Sequence, residues 1–277
     1  MKYPEDCIPE VKTLIEKVVE TTRREFDKHL LAISLHGSLA MGSYYFPKSD
    51  IDILIVVNSA IPPGIRRTYF ELISEISDRR QTVGDIELTV LQQDALNHRN
   101  TCIPFEVHYS EEQKKKFRSL DFLQNNCDGD LSAHLMVAYH RGITLFGPHI
   151  KSLMAEPSWE NYRQSVLDDL TWILSSQNIL TTPFYSILNC CRAYLLLIKN
   201  ENQVYSKEEG AIKAQQLLPN IGPQIQQALD AYQSSKAVVP QTRRTNDQEW
   251  KREDLIQVRD YFRALLKDER FKLNLTE

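Results

Sequence analysis

The most informative segment for the fold is residues 35–57, which read LHGSLAMGSYYFPKSDIDILIVV. An apolar run of strand length leads into this stretch and ends at Gly37-Ser38. A loop of small residues follows, with glycine and proline as turn signals. The segment DIDILIVV, residues 50–57, begins half polar and ends fully apolar. The stretch therefore predicts two strands joined by a short glycine-containing loop.

The elements next to this stretch predict a small sheet with helices. Apolar residues recur at helical spacing over residues 8–30. A second helix is predicted over 65–80, after the turn IPPG. The segment DIELTVLQ, residues 85–92, alternates apolar and polar side chains and places Glu87 on the polar face of a third strand. We therefore expect an α+β domain with a small mixed sheet over residues 1–150.

The character of the sequence changes from about residue 130. Strand-like runs give way to helical periodicity, and glycine or proline separates the periodic stretches. Residues 151–277 are therefore predicted to form an all-helical C-terminal domain. Helices are predicted at 130–146, 159–176, 184–200, 207–218, 223–234 and 249–267, with a long exposed loop over 234–248.

Composition excludes several classes of protein. The chain has 33 Lys and Arg residues and 37 Asp and Glu residues, which give a net charge of -4. Because nucleic-acid-binding proteins usually carry excess positive charge, binding of nucleic acid is not the expected function. No apolar run approaches the roughly 20 residues that span a bilayer. The N-terminal residues are charged throughout and have no signal-peptide core. We therefore expect a cytoplasmic protein with neither a membrane nor a nucleic-acid partner.

The cysteines predict free thiols. Their number is odd and no two have the CxxC spacing, so neither a disulfide framework nor a zinc site is expected. The cysteines are Cys7, Cys102, Cys127, Cys190 and Cys191.

Three acidic residues predict a metal site. Asp50 and Asp52 share one face of a strand because they are two residues apart. Two carboxylates so close repel each other unless a cation lies between them, and hard oxygen ligands suit Mg²⁺. Glu87 joins them if its strand is a neighbour. This third carboxylate would then complete the metal site or take a proton from an attacking hydroxyl group.

The turn at Gly37-Ser38 has the properties of a phosphate-binding loop. Small residues let the backbone approach a ligand closely, so that N–H groups can point at phosphate oxygens. The Ser38 hydroxyl adds a further donor. Together with the acidic residues, this turn predicts a site for a nucleoside triphosphate and magnesium.

These residues carry a resemblance to a known family. The Gly-Ser pair, the spacer and the Asp-x-Asp of residues 35–57 are similar to the nucleotidyltransferase signature. More narrowly, the chain resembles the aminoglycoside adenylyltransferases that modify streptomycin and spectinomycin. The stretches DGDLSAHLMVAYHRGITLFGP (128–148), LNCCR (188–192) and YSKEEGA (205–211) also resemble segments of that family.

The resemblance implies an enzyme of antibiotic resistance. It implies transfer of AMP from ATP to a hydroxyl group of an aminoglycoside or aminocyclitol, with Mg²⁺ and release of pyrophosphate. It also implies a monomer whose helical domain closes on the substrates. The implied roles are magnesium binding for Asp50 and Asp52, triphosphate binding for Gly37 and Ser38, the catalytic base for Glu87, and a phosphate contact for Lys207.

Two alternatives stay open, and a departure from the family motivates the first of them. Where the family has an acidic-Glu-Arg-Asn stretch in its drug-binding region, this chain has residues 181–185, Thr-Thr-Pro-Phe-Tyr. Cationic drugs need carboxylates, which Glu87 and Asp168 or Asp169 could supply. Trp172 and Tyr185 could stack on an acceptor. The alternatives are a nucleotidyltransferase with another small-molecule or protein acceptor, and a non-catalytic nucleotide-binding regulator.

A local interpretation also exists for Lys207. Ser206 precedes it and Glu209 follows three residues after that serine, a spacing that predicts a capping box at the start of a helix. In that interpretation Lys207 is an ordinary charge of the first helical turn.

Overall fold

A computed structural model describes residues 3–4, 7–98, 102–117, 126–175, 177–234, 239, 243, 245 and 248–266. The chain divides into two compact units, Met1–Asn161 and Tyr162–Glu277. The separate roles expected for residues 1–150 and 151–277, nucleotidyl transfer and closure on the substrates, stay predictions.

The first unit combines strands and helices. Its strands are β1 (Leu30–His36), β2 (Ile51–Val57), β3 (Ile86–Gln92), β4 (Ile103–Phe105), β5 (Val107–Tyr109), β6 (Asn126–Asp128) and β7 (Ile143–Phe146). Its helices are α1 (Pro9–Phe26), α2 (Gly37–Ala40), α3 (Pro63–Asp78), α4 (Glu111–Lys115) and α5 (Leu131–Arg141).

Five of these strands form one mixed sheet in the order β5-β3-β2-β1-β7. Strands β2 and β3 are parallel, and the other neighbours are antiparallel. Strands β4 and β6 form a separate antiparallel pair. The predicted α+β class with a small mixed sheet is confirmed.

The two faces of the sheet bury different side chains. Ile53 and Ile55 of β2 join a core cluster that includes residues of α1 and α3. Leu54 joins a second cluster with Leu131 and Leu135 of α5. Because side chains alternate along a strand, the even-numbered residues of β2, including Asp52, lie on the face covered by α5.

One predicted helix, 130–146, is wrong over its last five residues. Helix α5 ends at Arg141, and residues 143–146 form β7 at the edge of the sheet. The backbone of Gly142 is extended, and a Cβ there would lie 2.3 Å from the Ala138 carbonyl oxygen. The chain therefore leaves the helix at this glycine, and β7 pairs with β1.

The prediction that all cysteines are free is also wrong. Cys102 and Cys127 form a disulfide at the paired strands β4 and β6. Their spacing gives no sign of this pairing, because strand pairing brings them together. Cys7, Cys190 and Cys191 are free, as expected.

The described part of the second unit consists of helices and their connections. The helices are α6 (Trp159–Leu174, which begins just before the unit boundary), α7 (Asn178–Thr181), α8 (Pro183–Ala193), α9 (Lys207–Leu217), α10 (Gly222–Gln233) and α11 (Arg252–Leu265). Helix α8 continues into a π-helical turn over Tyr194–Ile198 and packs against α7, α9, α10 and α11. Most of the predicted loop 234–248 lies outside the described residues.

None of the described helices combines the length and the apolar character that crossing a bilayer requires.

Candidate active site

Asp52 and Glu87 are neighbours at the start of two parallel strands. Asp52 of β2 is the register partner of Glu87 of β3, and neighbouring strands lie about 4.8 Å apart. Both residues are half-buried, and their side chains lie on the face of the sheet that α5 covers. The register of the sheet thus brings together two of the three predicted acidic residues.

Gly37 makes room for Asp52. A Cβ atom at Gly37 would lie 1.8 Å from Asp52 Oδ2, and the φ of Gly37 is +66°. His36 is the register partner of Asp52, so the turn after it begins beside this carboxylate. The Ser43 N–H donates to the Ser38 carbonyl at 3.0 Å. The predicted phosphate-binding turn therefore lies beside Asp52 and Glu87, where β1 ends and β2 and β3 begin.

Asp50 is held by the loop between α3 and β3, residues 79–85, which we call the α3–β3 loop. Asp50 Oδ1 accepts a hydrogen bond from the Asp85 N–H at 2.7 Å. The Ile51 N–H in turn donates to the Asp85 carbonyl at 2.9 Å. The loop, rather than the sheet, thus fixes the orientation of this third carboxylate.

Helix α5 adds a histidine beside the same carboxylates. The His134 ring lies 5.2 Å from the ring of His36, and its Nε2 lies 3.4 Å from Asp130 Oδ2. Burial lowers the pKa of His134, but the hydrogen bond to Asp130 and the charges of Asp130, Glu87 and Asp52 outweigh burial and raise it to about 9. Burial and the nearby His134 hold the pKa of His36 well below its usual range.

Sequence reasoning missed both His134 and the α3–β3 loop. His134 follows Asp130 by four residues within a predicted helix, and this spacing could have identified the pair. The contact between Asp85 and Asp50 has no such local signal, because it depends on how the loop packs.

The carboxylates fit a magnesium ion. Asp52 and Glu87 are adjacent, and with Asp50 they offer the hard carboxylate oxygens that this ion prefers. Mg²⁺ keeps several waters and takes other ligands from phosphates, so few protein ligands suffice. In the part of the chain that the structure describes, no group of three or more His, Cys, Asp or Glu side chains is already arranged to hold a metal ion. The metal roles of these acids stay predictions.

In the helical unit, Lys207 is the first residue of α9. The Ser206 hydroxyl accepts from the Glu209 N–H at 3.1 Å, and the Glu209 carboxylate accepts from the Ser206 N–H at 2.8 Å. The predicted capping box is therefore confirmed. The Lys207 ammonium lies 5.0 Å from the ring centroid of Tyr185 and 5.9 Å from that of Tyr232. A cation beside the N–H groups of a helix start suits phosphate oxygens.

The residues predicted to contact an acceptor differ in their surroundings. The Tyr185 hydroxyl donates to Asp169 Oδ1 at 3.5 Å. Asp168 is exposed and accepts from the amide of Gln164 at 2.8 Å. Trp172 is 45 % exposed. Asp169 thus contacts Tyr185, and the acceptor roles of Glu87, Asp168 and Asp169 stay predictions.

The mixed sheet, the glycine turn and the acids on neighbouring strands are the features that the nucleotidyltransferase signature predicts. Comparison with known proteins narrows the class. Residues 152–264 match the family model described as the C-terminal domain of aminoglycoside adenylyltransferases.

Two curated relatives agree with this match, and one solved structure shares the fold. A spectinomycin 9-adenylyltransferase of Staphylococcus aureus is 26% identical over 203 residues, which are 70% of this chain and 74% of that protein. One of Campylobacter jejuni is 25% identical over 63% of this chain and 70% of its own. The crystal structure of spectinomycin adenyltransferase AAD(9) from Enterococcus faecialis with ATP and spectinomycin shares the fold. Its TM-score is 0.76 at 20% identity, over 93% of this chain and 99% of that chain.

These comparisons confirm the predicted resemblance to the aminoglycoside adenylyltransferases. They also confirm the prediction that the chain is a nucleotidyltransferase enzyme.

Proposed function

We propose that this protein transfers AMP from ATP to a hydroxyl group of spectinomycin or a related aminocyclitol, with Mg²⁺, and releases pyrophosphate. The pairing of Asp52 with Glu87 beside the Gly37 turn carries the proposal. The names of the curated relatives support spectinomycin as the acceptor. Streptomycin, which the family resemblance also implies, is the second acceptor to test.

Each of the protein's own site groups has a separate role in the proposed reaction. Glu87 accepts the proton of the acceptor's hydroxyl group while the oxygen of that hydroxyl group forms a bond to the α-phosphorus of ATP. The bond between the α-phosphorus and the bridging oxygen breaks, and pyrophosphate leaves. Asp50 and Asp52 would hold Mg²⁺, which neutralises charge on the phosphates when bound. The N–H groups of Gly37 and Ser38 orient the triphosphate, so positioning supplies much of the rate enhancement.

Lys207 has a further role in the proposed reaction. From the family resemblance, Lys207 binds phosphate oxygens of ATP, and its place at the start of α9 supports this role. Because the reaction consumes ATP, we also place the protein in the cytoplasm. The monomer that the family resemblance implies stays part of the proposal.

The test is direct detection of the product. Purified protein is incubated with ATP, MgCl₂ and either spectinomycin, streptomycin or no acceptor; pyrophosphate is measured, and the drug is analysed by mass spectrometry for an added adenylyl group. We expect adenylylated spectinomycin, and loss of product in Asp52→Asn. Asp78→Asn, at an exposed carboxylate of α3, is the matched control and should behave as wild type. No pyrophosphate with either drug would overturn the proposal.

A different acceptor is the second candidate because of residues 181–185. Thr181 and Thr182 donate their hydroxyl hydrogen bonds to the Asn178 carbonyl, at 3.0 and 3.1 Å. They therefore do not replace the acidic side chains that a cationic drug needs. Turnover with less cationic acceptors in the same assay, and none with the two drugs, would favour this candidate. Binding of ATP without turnover of any acceptor would favour the regulator.

A further inference from the structure

The α3–β3 loop is built around one arginine. The guanidinium of Arg80 donates from Nε to the Gly84 carbonyl at 3.0 Å and from Nη1 to the Ser77 carbonyl at 2.8 Å. It also forms ion pairs with Asp85 through Nη2 and with Glu111 through Nη1, both at 2.9 Å. The side chain of Arg80 is only 16% exposed, so these bonds are less screened by solvent than surface pairs.

The loop packs directly against the segment that precedes β2. The N–H groups of Val83 and Gly84 donate to the Pro47 carbonyl at 2.9 and 2.8 Å. A Cβ at Gly84 would lie 1.9 Å from the Ser49 carbonyl oxygen, so only glycine allows this approach. The α3–β3 loop and the segment 47–50 therefore pack closely against each other.

The packed loop contacts the Asp50 carboxylate through Asp85. The Asp85 side chain is fixed by Arg80, and the Asp85 N–H donates to Asp50 Oδ1 at 2.7 Å. One carboxylate oxygen of Asp50 is thus bound, and the direction of the other is determined by the loop. A guanidinium fork can hold the Gly84 carbonyl, the Asp85 carboxylate and Glu111 at once, which an ammonium cannot do in the same geometry.

We propose that Arg80 is a positioning residue for Asp50, and that it sets the affinity of the site for magnesium-bound ATP. The inference rests on the proposed function, since it takes Asp50 as a magnesium ligand. Groups that orient metal ligands typically change metal affinity or activity about 10- to 100-fold when removed. Arg80 acts through Asp85 and does not itself touch the substrates in this proposal.

The experiment measures nucleotide binding rather than turnover. Dissociation constants for ATP are determined by calorimetry, with MgCl₂ and with EDTA, for wild type, Arg80→Gln and Arg80→Lys. We expect binding with magnesium to weaken about tenfold in both variants, while binding with EDTA stays within twofold of wild type. Arg67→Gln is the matched control, because Arg67 lies on α3 in an exposed pair with Glu71 and should bind as wild type.

Asp85→Asn tests the same path without removing the arginine. It replaces the ion pair to Arg80 with a weaker hydrogen bond, and it keeps the backbone N–H that donates to Asp50. We expect a similar loss of magnesium-dependent affinity, and no additive loss in the double variant with Arg80→Gln, because both changes act on one contact chain. Asp85→Asn also decides the question if Arg80→Gln does not fold.

The outcomes separate the two proposals. A wild-type protein that binds no ATP with magnesium would overturn the proposed function. A wild type that binds, with variants whose magnesium-dependent affinity is unchanged while their melting temperature falls, would overturn the positioning role and leave Arg80 as a stabilising residue only.

Discussion

In the first unit, the candidate site residues are positioned by segments that are distant in sequence, whereas in the second unit Lys207 is positioned by its own helix start. Asp52 meets Glu87 through strand register, and Asp50 is held by the α3–β3 loop. Lys207 follows a capping box made by Ser206 and Glu209 alone. We therefore expect changes near the sheet to affect several site groups at once, and changes at the start of α9 to have small and local effects.

The largest effect is expected for Glu87→Gln. The change removes the proposed base but keeps the size of the side chain, so turnover should fall at least about 100-fold while ATP binding is retained. Rates of pyrophosphate release and calorimetry measure the two quantities. Glu75→Gln, at an exposed glutamate of α3, is the control. Loss of magnesium-dependent ATP binding would instead assign Glu87 to the metal.

The next effect is expected for Gly37→Ala. The added methyl group would collide with Asp52 Oδ2, and alanine is strained at a φ of +66°. We expect loss of ATP binding with magnesium and a lower melting temperature. Gly42→Ala is a matched control, because its φ is +71° but nothing lies within 4 Å of the added atom. Equal losses of ATP binding in both variants would show that backbone strain, not the contact with Asp52, is responsible.

A smaller effect is expected for Ser206→Ala. Loss of a helix N-cap costs about 1 kcal/mol of stability, and Lys207 should become less well positioned, so the KM for ATP should rise a few-fold. Urea unfolding and steady-state kinetics measure these changes. Ser206→Thr keeps a capping hydroxyl and should restore both values. An unchanged KM in Ser206→Ala would argue against the phosphate role of Lys207.

The smallest effect concerns acid stability near the α3–β3 loop. Burial raises the pKa of Glu111, but hydrogen bonds from Ser77 and Tyr109 and the charges of Arg80 and Lys114 outweigh it and lower the pKa below its ordinary value of 4.5. The unfolded chain therefore binds this proton more readily than the folded chain. The stability from Glu111 is complete above that ordinary value and is lost as pH falls through the lowered pKa.

The check is denaturant unfolding of wild type and Glu111→Gln from pH 7 downwards. The difference in unfolding free energy between them should be constant near neutrality and shrink at acid pH, because the variant cannot bind the proton. A difference that grows towards low pH would contradict the lowered pKa of Glu111.

Much of the sheet could be predicted from the sequence because its pattern is local. Apolar runs and alternation identify β1, β2 and β3, and the side-chain period places Asp52 and Glu87 on the polar part of their strands. Register alone then makes them neighbours. The capping box of Ser206 and Glu209 is equally local and was predictable from spacing.

The rest depends on contacts that no local pattern records. Residues 143–146 read as the end of a helix, and only pairing with β1 makes them a strand. Arg80 reads as a charge at the end of a helix, and its role follows from a loop conformation that Gly84 permits by packing against Ser49. The pairing of Cys102 with Cys127 likewise follows from β4 and β6.

The disulfide between Cys102 and Cys127 closes a covalent ring that contains β4, β5 and α4. A protease that cuts the backbone once inside this ring would therefore leave both fragments joined through sulfur. Such a nicked molecule would migrate as one chain until a reductant is added, so the integrity of β5, an edge strand of the sheet, has to be judged on reducing gels.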